Sequence, residues 1–303
     1  MTQLNKKHTT YNYLHSKLLS EETKEKGEKL IVIIAIISFI IHLITIYLIK
    51  YGIIYIETDT NLLTNPIGAI YTPFSFIIIY EVYLLIYYLP KSITGYIGKQ
   101  YEIITLIIIR RLFKDLATME ITSKWFHLKG DLQFSFDLIA TIILFFLIYV
   151  FYLARNSGRK NKPEPNFETT NFIKQKKAIA LLLVPVFIGL SIYSIYNWIH
   201  NAESLSDIFE SMKYVNNIFF NDFFTILILV DVLLLLLSLF YTDKFNIVIR
   251  NSGFIISTIL IRLSFGTEGF MNPVLIVAAV IYGILLLYVS NQFEQKILPS
   301  NRK

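Results

Sequence analysis

Cysteine is absent from all 303 residues of the chain. That single absence excludes disulfides, thiolate metal sites, cysteine nucleophiles and palmitoyl anchors. Charge is scarce as well, at 17% of residues. The five histidines are scattered and only His42 lies well inside an apolar run, so a membrane haem held by paired histidines is not expected. There is no Gly-rich phosphate loop, no HExxH, no nucleophile elbow and no carboxylate pair at metal-ligand spacing. The sequence therefore points to no enzyme and no cofactor. No cleavable signal peptide is apparent, because residues 1–29 are polar and the first long apolar run is long enough to span a bilayer.

Apolar residues are what the chain has, at 54% of its length. A soluble domain of this size cannot hide that much apolar surface, so the composition predicts an all-α polytopic helix bundle in a lipid bilayer. Crossing the hydrocarbon takes about 20 mostly apolar residues. Runs of that kind occupy 30–51, 67–89, 99–118, 137–154, 178–200, 223–241, 250–265 and 273–290, which makes about eight transmembrane helices. The third is weak taken alone, since its uninterrupted apolar stretch covers only 103–109. The positive-inside bias supports it. With eight spans, most of the 28 Lys and Arg residues fall on one side, and both termini are expected to be cytoplasmic. Grouping of the basic residues in loops also accounts for the net charge of +6 without nucleic acid. Lys- and Ile-rich usage suggests a bacterial inner membrane.

The expected organisation is a cytoplasmic segment 1–29, a four-span half 30–154, a basic linker 155–177, a second four-span half 178–290 and a cytoplasmic tail 291–303. The halves share a pattern. Glu81 and Asp231 each interrupt an apolar run, and each is followed by a basic-amide pair, Lys99-Gln100 or Arg250-Asn251. An arginine comes twelve residues after each basic residue, Arg111 and Arg262, with Arg110 an alternative register. Four spans per half would leave the halves parallel, related by an axis along the membrane normal.

A charge at the bilayer centre costs at least about 2.5–3.5 kcal/mol. Counted from the helix ends at 1.5 Å per residue, Glu81 lies about 12 Å and Asp231 about 15 Å inside. Pairing of Glu81 with Arg110 or Arg111, and of Asp231 with Arg262, is therefore expected. Two readings follow. Either Glu81 and Asp231 line a pathway for a small cation or proton with the arginines as counter-ions, or the pairs are structural. Lys99 and Arg250 read as interface anchors at the inner mouth, and Glu102 as a partner of Lys99.

Smaller signals complete the picture. Ser204 and Asp207 open an amphipathic stretch to Phe219 that reads as a surface helix. Trp125, Phe126, His127, Trp198 and His200 suit interfacial anchoring. His42 reads as a satisfied polar residue between helices, and Pro73 and Pro185 as kinks. Ala279 and Gly283 form a small-residue face that can pack on another helix or, in a homo-oligomer, on another copy. The function these features favour is a transporter or channel for a small ion or solute. The alternatives are a non-transporting assembly or signalling component and, third, a lipid-modifying enzyme.

Overall fold

The computed structural model describes residues 13–14, 16–55, 63, 65–118, 129–159, 167–201, 205–267 and 269–296. Among them there is no strand, and eight long helices follow in order. These are α1 (Glu21–Lys50), α2 (Tyr71–Tyr88), α3 (Ile93–Thr118), α4 (Lys129–Arg159), α5 (Phe167–Asn201), α6 (Leu205–Leu239), α7 (Phe245–Ser264) and α8 (Met271–Lys296). All but α3 contain a stretch long and apolar enough to cross a membrane. The chain is thus an all-α, multi-pass membrane bundle with seven such helices among the described residues, one fewer than the sequence reading expects.

The exception has a physical cause. With Lys99, Glu102, Arg110, Arg111, Lys114 and Asp115, α3 is too charged to qualify by composition. Its interior is nevertheless dry. Tyr96, Ile97, Tyr101, Ile103, Ile104 and Ile108 are buried, and so are Thr94, Gln100, Thr105 and Arg110. A helix sheltered by protein on this scale can carry polar side chains that lipid would reject.

By packing, the described residues divide into two compact units that interleave along the chain. One takes in Met1–Pro90, Leu116–Thr118 and Gln175–Phe223, the other Lys91–Asp115, Met119–Lys174 and Phe224–Lys303. In the first unit α1 packs antiparallel on α2. Ser20 caps α1 by accepting from the Thr23 amide at 3.1 Å, with Glu21 and Glu22 in the favourable first turn. Tyr87 donates to Glu21, Tyr80 donates to Glu28 at 3.0 Å, and Tyr83 donates to the Leu18 carbonyl at 2.9 Å. Farther along the same seam, buried His42 meets Thr72. Most of the lipid-length part of α1 is exposed aliphatic surface, including Ile33, Ile36, Ile37, Ile40, Ile41 and Ile44. Only contact with bilayer hydrocarbon suits such a face.

In the second unit α8 packs on α7 and α4. The small-residue face of α8 is used inside this unit. Gly283 lies under Tyr101 and Ser257, and Ser257 donates to the Ala279 carbonyl at 2.6 Å. That face is packed on helices of its own chain, α3 and α7, the first of the two packings its small residues allow.

Other expectations shift. The stretch after residue 204 is continuous with α6 in one unbroken helix, so it forms no separate surface helix. Helices α4 and α5 extend into the linker, leaving 160–166 between them. Pro73 sits in the first turn of α2 rather than mid-span, Pro185 is inside α5, and Pro273 is in the first turn of α8. Trp125, Phe126, His127, Pro163, Pro165 and Ser204 lie outside the described residues.

Candidate functional site

On α6, Phe224, Leu227, Ile228 and Asp231 recur at helical spacing and share one face. They line a small cavity with Gln100 and Ile104 of α3 and Thr258 and Ile261 of α7. The room for a water centre is about 10 Å³, on the threshold of holding one water molecule. Asp231 is 2% exposed. Its Oδ2 accepts from Gln100 Nε2 at 3.0 Å. Tyr96 of α3, one turn before Gln100, and Thr258 also face the carboxylate. Asp231 Oδ1 and the Tyr96 hydroxyl, both buried, have no hydrogen-bond partner.

The expected pairing with Arg262 does not occur. Arg262 is half-buried on α7, and among the described residues Asp231 has no ion-pair partner. An amide from the other sequence half takes that place. Gln100 was legible only as the companion of Lys99, although Tyr96, Gln100 and Ile104 fall one helical turn apart and so on one stripe.

Arg111 is engaged elsewhere too. Its Nε and Nη2 bind the Asp137 carboxylate at 2.5 and 2.6 Å, and Nη2 also donates to Asn272 Oδ1 at 2.9 Å. Gln133 Nε2 donates to Asp137 at 3.0 Å, and Asn272 Nδ2 to the Ser264 carbonyl at 2.6 Å. One fork therefore ties α3, α4, α8 and the last residue of α7, whose carbonyl also accepts from the amide and hydroxyl of Thr267. The acid that Arg111 binds within its own unit is thus Asp137. The reason is the early start of α4 at Lys129, which puts Asp137 two turns inside that helix instead of at its edge.

Glu81 is buried on α2 in the first unit, and Arg110 is buried on α3 in the second. Beside Glu81 the register of α1 against α2 is held by a hydrogen bond. Its neighbour Tyr80 holds Glu28, two residues before the apolar run of α1 begins at Leu30. Glu81 lies eight residues before the C-cap Leu89 of α2, about 12 Å from the helix end, as the count along the sequence has it. The apolar residues Val82, Leu85 and Ile86 that made its surroundings look like mid-bilayer are fully buried in protein.

Lys99 pairs with Glu102, as expected, and Glu102 also accepts from Tyr152. Arg250 donates to Asn251 Oδ1 at 3.3–3.4 Å. Both basic residues sit in the second turn of their helices, and neither lines the Asp231 cavity. No cluster of His, Asp and Glu suited to a metal ion occurs among the described residues.

No protein-family model, curated protein or solved structure matches the chain. Its chemistry has to be read from these side chains.

Proposed function

We propose that the protein is a transporter or channel for a small ion, without enzymatic activity, and that Asp231 is the group the ion engages. The observation that carries this reading is a buried carboxylate that accepts from a neutral amide and is otherwise faced by a hydroxyl and a phenol. An isolated carboxylate in a dry interior is strongly disfavoured and has to be neutralised by what it binds. Purely structural acids in membranes pair with a cation, as Asp137 does with Arg111; intramembrane acids that do not are markers of ion and proton pathways.

The size of the cavity limits the cargo. Room for about one water excludes a sugar or an amino acid from this position, so a small ion is the better reading than an organic solute.

The test is flux in proteoliposomes holding the full chain. Asp231→Asn keeps the shape and the Gln100 contact, so it is expected to fold and to lower flux of the carried ion by about tenfold or more. Wild-type flux of protons and of every cation tried in the folded variant would overturn the proposal. A second reading, a membrane assembly or signalling component, draws on the Arg111–Asp137 fork, which binds helices together and requires no cargo. It predicts no protein-dependent flux in the wild type.

A further inference from the structure

We infer that the species bound at Asp231 is a proton rather than a metal cation. This deepens the proposed function and rests on it.

The oxygen supply decides the matter. Metal cations in proteins are held by several oxygens, six or more for calcium, and membrane sites recruit backbone carbonyls from interrupted helices. Here α3, α6 and α7 run unbroken past the cavity, so their carbonyls are committed to helical hydrogen bonds. No cis peptide or positive-φ non-Gly residue unwinds them. Of the side-chain oxygens, Asp231 Oδ2 already accepts from Gln100, and the Thr258 hydroxyl donates to the Ile255 carbonyl at 2.9 Å. The remaining cavity walls are Ile104, Phe224, Leu227, Ile228 and Ile261. What is left is one carboxylate oxygen, the Thr258 and Tyr96 hydroxyl oxygens, the amide oxygen and space for a water, still fewer than the six or more oxygens of a calcium site. That set is too poor to replace the hydration shell of a metal ion and sufficient for one proton.

The charges around Asp231 agree. From α3 it is faced by Gln100 and the titratable Tyr96, from α7 by Thr258, and α6 carries no other charged residue between Asp222 and Leu239. Among the described residues nothing cationic competes with a proton for the carboxylate. Loading forms an O–H bond at Oδ1 while a hydronium ion in the cavity gives up a proton and becomes water. Unloading reverses the same two bonds, with the Gln100 amide holding Oδ2 in place throughout.

Infrared spectroscopy of the purified full chain, with carboxyl-labelled aspartate, tests this at the group itself. The expected result is a protonated-carboxyl C=O band at neutral pH that shifts in D₂O, is missing from Asp231→Asn and is unchanged by lithium, sodium, potassium or magnesium. Should Asp231→Asn fail to fold, Gln100→Leu serves instead: losing its donor to Oδ2 moves the same band. A band abolished by one of those cations, or its absence throughout with Asp231 ionised, would overturn the proton assignment and leave the transport reading intact. Unchanged flux in folded Asp231→Asn would overturn the transport reading, whatever the spectrum shows.

Discussion

Asp137→Ala is expected to cost the bundle about 3–5 kcal/mol, because it strands the Arg111 guanidinium against buried protein. Asp137 is wholly inaccessible and Arg111 is 27% exposed, so water can take over little of the lost contact. The substitution also removes the acceptor of Gln133 and loosens the Asn272 bridge to the end of α7. Chemical unfolding in detergent micelles measures the loss. The paired replacement Arg111→Met with Asp137→Leu leaves neither charge unsatisfied and is expected to recover most of it. If the double variant is as unstable as Asp137→Ala, the fork is not the origin of the effect.

Gly283→Val is the second large effect. A Cβ at this position would stand 2.0 Å from the Tyr101 hydroxyl oxygen and 3.1 Å from its ring. Tyr101 is 1% exposed and bonded to Ser257 at 2.8 Å, so it cannot swing aside without leaving that hydroxyl behind. Overpacking of a tight core costs about 1–3 kcal/mol, and two further methyl groups place Val at the upper end. Gly283→Ala is expected to cost less, and Tyr101→Phe in that background to return part of the loss by removing the nearest atom. The same unfolding measurement reads this coupling as non-additivity between neighbouring sites.

How much of this was legible in the sequence differs from residue to residue. Apolar run length and the polar loops between runs gave the helices, because bilayer thickness imposes both. The pairing of Lys99 with Glu102 was legible too, since three residues apart on a helix is a local relation. Partners brought together by tertiary packing were not. Asp231 finds Gln100, and Arg111 finds Asp137, by helix contacts that neither spacing nor a repeat specifies. The surroundings of Glu81 escaped for a related reason. Hydropathy does not distinguish a residue buried by lipid from one buried by protein, and the segment around Val82 is the second kind. The α8 small-residue stripe fits packing within the chain and packing between copies equally well until Tyr101 is seen filling it.

The tyrosine seam between α1 and α2 has a mechanical consequence. Tyr80 and Tyr87 grip the polar start of α1 two turns apart, Tyr83 holds the Leu18 carbonyl just ahead of it, and His42 with Thr72 closes the seam farther along. Two helices pinned at both ends of a shared seam cannot slide past one another to suit a thinner or thicker membrane. They have to tilt together, as one plate. Hydrophobic mismatch costs fractions of a kcal/mol per ångström, and in this protein that cost is felt by the pair as a unit, with Glu81 carried along on α2.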